Sequence, residues 1–195
     1  VKWFLLAAEQ GYEMAQMNIS HQNSEGIGIA RDEVEAAKWL TLAAEQGNLN
    51  AYVGLGLRYQ LGIGVDQNST TAFSWWELAA KEDDPTAQFN IGYAYETGAA
   101  VEIDNIQAAI WYDLSAKQGF DSAQFRLGRC YEHGEGVEQN NEIAAKWYKL
   151  AAEQNNSDAQ YRLAEFYRVG LELEQSNLDA FKWYERAAKQ GHSEA

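Results

Sequence analysis

The chain of 195 residues sets 15 Lys and Arg against 29 Asp and Glu, a formal charge of −14, and holds one Pro and one Cys. Its 46% apolar content is enough for a core and excludes wholesale disorder, while one Cys excludes an intramolecular disulfide framework and any Cys-pair zinc site. No run approaches the ~18 apolar residues of a membrane span, and the acidity opposes nucleic-acid binding over the whole surface.

Six of the seven tryptophans, Trp3, Trp39, Trp75, Trp111, Trp147 and Trp183, are spaced by 36 residues without insertion or deletion. Ala8, Ala44, Ala80, Ala116, Ala152 and Ala188 keep the same phase, as do Gly26, Gly62, Gly98, Gly134 and Gly170. Columns locked at one spacing identify a repeat protein. In chain order the pattern predicts a second helix around Trp3, then five hairpins. Their first helices begin at the column Ala15, Ala51, Ala87, Ala123 and Ala159, and their second helices carry Trp39 to Trp183. Ala51, Leu55 and Tyr59 lie at i, i+4 and i+8 on one helical face. Gly62 stands where a residue of positive φ ends such a helix. Asp83 and Asn155 replace Gly at the corresponding end of the second helix, and both tolerate the left-handed conformation. Ser20 and Asn23 depart from the Gly and Tyr columns, so the first hairpin is expected to pack loosely. Glu172 and Ala100 replace a loop Gly, so their turns are expected to differ.

The pattern A-Q-x-x-L-G-x-x-Y-x-x-G-x-G-V followed by A-x-K-W-Y-x-x-A-A is clearest from Ala123 to Val137 and from Ala145 to Ala152. It resembles the Sel-one-like repeat, a relative of the tetratricopeptide repeat. The resemblance covers the whole chain and implies an all-α fold, a right-handed α/α superhelical solenoid of 36-residue helix-turn-helix repeats. Residues 1–195 then form a single solenoid with five first helices and six second helices. Val1 aligns with the interior of a second helix and Ala195 with the start of a first helix, so we expect a segment of a longer array. Association end to end through uncapped ends is one consequence; a monomer is the other. A signal peptide is not assessable, and the compartment stays open. The resemblance also implies a non-catalytic interaction scaffold or adaptor. The Cys pairs of some relatives are missing.

Signals for chemistry are poor. Cys130 and His133 share a helix at i, i+3, but no third metal ligand is evident, and a small buried thiol beside a surface imidazole is the plainer reading. The Gly pairs at 54 and 56 and at 62 and 64 lack the third Gly of a dinucleotide loop. No nucleophile motif is present, so no catalytic residue, metal or cofactor is assigned. A weak hydrolase of the kind attributed to Cys-rich relatives, and a helical-repeat RNA binder, are the disfavoured alternatives.

The first-helix face opposite the core columns varies from repeat to repeat, and by resemblance this face lines the concave groove. There the expected partner-binding residues are Leu57, Leu61, Asn90, Tyr93, Glu96, Arg126, Arg129, Glu132, His133, Arg162, Glu165 and Arg168. Val53, Leu57, Leu61 and Tyr93 offer an apolar station. Arg126, Arg129, Arg162 and Arg168 offer planar forks for carboxylates. A partner protein or peptide with acidic and apolar anchors would suit them, with no nucleic acid and no membrane insertion. The competing reading is an internal ladder. Arg129 with Glu132, Arg162 with Glu165 and Glu165 with Arg168 lie at i, i+3, and Arg129–Glu165 and Glu132–Arg168 share columns in neighbouring repeats.

Overall fold

Each hairpin is punctuated by the residues that the repeat places at its helix ends. In the computed structural model, which describes residues 2–195, Asp32, Asn68, Asp104, Asn140 and Ser176 cap the second helices. Each accepts a hydrogen bond from a backbone N–H of the first turn. Gly26, Gly62, Gly134 and Gly170 close first helices in the left-handed conformation, with φ of 70° to 73°. Asp83 and Asn155 adopt φ of 59° and 69°, as expected of Gly substitutes.

The described residues form eleven helices and no strand: α1 (Lys2–Glu9), α2 (Glu13–Glu25), α3 (Glu33–Glu45), α4 (Leu49–Leu61), α5 (Ser69–Ala80), α6 (Pro85–Thr97), α7 (Asn105–Lys117), α8 (Asp121–His133), α9 (Asn141–Glu153), α10 (Ser157–Val169) and α11 (Asn177–Lys189). The fold class is the all-α solenoid of helical hairpins. Two compact units are present: residues 1–91 with 99–101, and residues 92–98 with 102–195.

In the first unit α2 packs on α3 and α4 on α5. Leu40, Ala43, Ala44, Ala51 and Leu55 form its central cluster, with Met17, Tyr59 and Trp75 against it. The expectation of loose packing in the first hairpin is corrected at its two substituted positions. Ser20 and Asn23 are both buried, and their polar atoms are satisfied locally: Ser20 Oγ donates to the Ala36 carbonyl at 2.8 Å and Asn23 Nδ2 to the Ile19 carbonyl at 2.9 Å. Trp76 is buried like the tyrosines of its column, but its Nε1 finds no acceptor.

In the second unit Ala144, Tyr148, Ala151, Leu163 and Phe166 form the core between α9 and α10, with Trp183 against it. Small residues let the axes approach: a β-carbon at Gly92 would meet the Tyr112 ring at 2.8 Å. A buried glutamine staples each step: Gln124 Nε2 donates to the Ala116 carbonyl at 3.2 Å and its Oε1 accepts from Gln154 Nε2 at 2.9 Å. Gln160 repeats this with Ala152 at 3.1 Å and Gln190 at 2.8 Å. The expectation that both substituted loops change turn is half corrected. Ala100 stays out of the left-handed region, but Glu172 holds it at φ 55°, as a glycine would.

Candidate first-helix interaction face

Three of the four arginines singled out from the sequence are committed to carboxylates, and all three lie in the second unit. Arg126 Nη1 donates to Glu96 at 2.7 Å. Arg162 pairs with Glu132, and Arg168 pairs with Glu165 at 2.6 Å. Only the last is among the pairs expected from sequence. The others run diagonally, from a carboxylate on one first helix to an arginine 30 residues later on the next.

Each diagonal is completed from the second helix between them. The Tyr112 hydroxyl donates to Glu96, and the Tyr148 hydroxyl donates to Glu132 at 2.5 Å. A carboxylate thus holds a phenol from the floor of the face and a guanidinium from the neighbouring repeat. Burial, and then the adjacent carboxylate, push both phenols far above the ordinary tyrosine range. Sequence reasoning missed this clamp. Its signal is the recurrence at 36 residues of Glu96 with Tyr112 and Arg126 as Glu132 with Tyr148 and Arg162.

In the last repeat the clamp slips by one turn. Arg168 occupies the carboxylate position, and the Tyr184 hydroxyl donates to Glu165 instead. Ala164 replaces the glycines opposite Tyr112 and Tyr148, and its methyl group occupies space that those rings fill. Tyr184 is accordingly less buried than its counterparts.

Arg129 differs from the other three. It is half-buried on α8, and no carboxylate of the described residues forms an ion pair with it. Tyr93, the preceding member of its column, is 40% exposed, and the Arg126 guanidinium lies over its ring at 5.4 Å. His133 is exposed at the end of the same helix, 3.9 Å from Glu132. Cys130 points inward, lining a cavity of about 10 Å³ with Tyr112, Arg126, Arg129 and the carboxylates Glu96 and Glu135, room for about one water. Burial, and then the charge of Glu96, push its thiol up to about 12. In the first unit, Leu57 and Leu61 are exposed on α4 and Asn90 is half-buried on α6. No group of three or more His, Cys, Asp or Glu suited to a metal occurs among the described residues, and no helix there is long and apolar enough to cross a membrane.

Solved structures similar to this chain include Sel1-type repeat proteins. One is c5321, a protective antigen present in uropathogenic Escherichia coli strains and displaying an SLR fold. It is 39% identical with a TM-score of 0.88, over 97% of this chain and 41% of that one. The chain therefore spans about 41% of that relative's length. A Sel1 repeat protein from Oxalobacter formigenes is 31% identical with a TM-score of 0.87, over 93% of this chain and 74% of that one. The immunity protein Pa5087 from Pseudomonas aeruginosa, 19% identical over 92% of this chain and 66% of that one with a TM-score of 0.62, shares the fold alone. No curated protein sequence matches. The family model described as Sel1 repeat matches residues 1–12, 14–48, 49–84, 85–120, 121–156 and 157–192, the boundaries at which the hairpins of the structure begin and end. With that model running through all its hairpins, the chain belongs to the Sel1 repeat family.

Proposed function

We propose that the chain is a non-catalytic interaction segment that takes up a partner polypeptide on its first-helix face. Sel1 repeat proteins serve generally as protein–protein interaction scaffolds. In the second unit the station is built on Arg129, with Tyr93, Arg126 and His133 beside it, and it receives an acidic side chain of the partner. One observation carries the reading: in a chain of formal charge −14, Arg129 alone among the four face arginines forms no direct ion pair, although Glu96 and Glu135 line the same small cavity. A half-buried guanidinium already partly desolvated, beside an exposed aromatic ring, gains more from a carboxylate than a fully hydrated cation does.

The test replaces Arg129 alone, because Arg126→Glu or Arg162→Glu would break a clamp and confuse folding with binding. Wild type and Arg129→Glu, matched in helical circular dichroism and melting midpoint, are used to capture proteins from lysate and secreted fractions. A captured protein that is lost from Arg129→Glu, and that binds wild type less tightly as salt rises, supports the station. Equal capture by both removes Arg129 from the site.

A further inference from the structure

The clamp that closes the first-helix face in the second unit has no counterpart at the first hairpin. The positions of Glu132, Tyr148 and Arg162 are held there by Ser24, Leu40 and Gly54. All three are smaller, and two of the three charge-bearing or hydrogen-bonding groups are gone. The space they vacate is a cleft of about 440 Å³, within the ~300–1,000 Å³ of small-ligand sites. Its floor is apolar, made by Met17, Leu40 and Gly54, with the half-exposed Leu57 at its edge. Ser20, in place of the glycines that face aromatic rings, is tied to the Ala36 carbonyl beneath Leu40.

The wall supplies charge. Glu33 is bracketed by two guanidiniums, Arg31 Nη2 at 2.6 Å and Arg58 Nη1 at 3.0 Å, and the hydrogen bond from Arg31 leads in holding its carboxyl below the ordinary range. Arg58 is mostly buried and also donates from Nη1 to the Ile63 carbonyl and from Nη2 to Ser24 Oγ. Arg31 is exposed, donates only through Nε and Nη2, and leaves Nη1 toward solvent. Arg31, Arg58 and His21 therefore face Glu33 and Glu25 in this cleft. With the histidine counted as neutral, as in the formal charge of −14, the two arginines balance the two glutamates and leave the cleft neutral within an acidic chain.

We propose that the cleft binds an aromatic side chain of an acidic partner segment, the ring on Leu40, Gly54 and Met17 and a neighbouring carboxylate on Arg31. The ring takes the volume that the tyrosine and arginine of the clamp fill elsewhere, and Met17 offers it a favourable sulfur contact. The carboxylate takes the uncommitted Arg31 nitrogen in a charge-assisted hydrogen bond. This rests on the reading that the first-helix face receives the partner, but it is tested without the partner.

Three probes are titrated into the chain by two-dimensional NMR: N-acetyl-L-tyrosine, N-acetyl-L-tyrosinamide and N-acetyl-L-leucine. The expected Kd for the first is on the order of 1 mM, with shifts confined to Met17, Arg31, Leu40, Gly54 and Leu57. The amide binds about 3-fold more weakly and the leucine probe at least about 5-fold more weakly. The double variant Ser20→Gly, Leu40→Tyr rebuilds the floor of the clamp and abolishes binding. Leu57→Gln, on the exposed edge where folding is not at stake, weakens it. Equal binding of the leucine probe, or shifts spread away from these residues, overturns the aromatic site, and equal binding of the amide overturns the carboxylate contact. Self-association of wild type that the double variant abolishes would assign the cleft to a second copy and overturn the proposal. Loss of capture by Arg129→Glu bears on the second unit alone, so the two readings fail separately.

Discussion

A β-carbon placed on Gly128 would lie 2.8 Å from the Tyr148 ring, so the clamp of Glu132, Tyr148 and Arg162 exists because residue 128 has no side chain. In the last repeat both conditions change together: Ala164 faces Tyr184, Arg168 stands where the carboxylate would, and the hydroxyl falls on Glu165. Gly128→Ala is expected to push the Tyr148 ring off Glu132 and to cost about 1–3 kcal/mol, read as a lower urea midpoint with unchanged slope. Helix propensity alone would make the same change stabilising by ~1 kcal/mol, so the sign decides. A raised midpoint would show that the ring is not held by the missing side chain.

How much of this was legible beforehand divides along physical lines. Trp, Ala and Gly recurring at 36 residues place every hairpin and the glycine ends of its helices, because those positions are dictated within one repeat by helix geometry. The clamp was not legible in the columns. It joins residues 16 and 30 apart, on three different helices, and comparing like positions never sets Glu96 beside Arg126. The expected arginine ladder is real in kind, but only Arg168 with Glu165 has the expected partners. Ser20 and Asn23 looked like breaks in the pattern because their polarity is visible in sequence and the carbonyls that satisfy them are not.

The loop glycines pose a contest between backbone and packing. A β-carbon at Gly136 would run into the carbonyl of Asn105, yet Glu172 occupies the equivalent place one repeat later, at φ 55°. Beside it is a polar cleft of about 410 Å³ lined by Gln139, Asn140, Asn141 and Glu142, consistent with a loop that stands off the start of α9 to make room. Glu172→Gly is expected to stabilise the chain by about 0.5–1 kcal/mol, since relief of the left-handed penalty of ~1–2 kcal/mol exceeds the added chain entropy. Gly136→Ala is expected to destabilise it by at least ~2 kcal/mol, because strain and collision add. Chemical denaturation of both variants is the measurement. A destabilising Glu172→Gly would mean that the glutamate contributes contacts outweighing its backbone strain.

The buried phenols and thiol link the clamp to pH. Tyr112 and Tyr148 are fully buried, each donating to a carboxylate. Burial and then that charge raise them above the ordinary 10.0, and Cys130 is raised from 9.0 to about 12 for the same two reasons. The folded chain therefore keeps protons that the unfolded chain releases. The stability they represent is complete below the ordinary thiol and phenol values and is lost as pH rises through them. The urea midpoint is expected to fall from about pH 9.5 upward, each group adding up to ~1.4 kcal/mol per pH unit, and Tyr148→Phe is expected to flatten the fall. Cys130 should react with a disulfide reagent at pH 8 only as fast as α8 opens, so added urea accelerates labelling as it populates open states. Labelling at the rate of a free thiol, or a midpoint level to pH 11, would mean that water reaches these groups in the folded chain and that the clamp is open in solution.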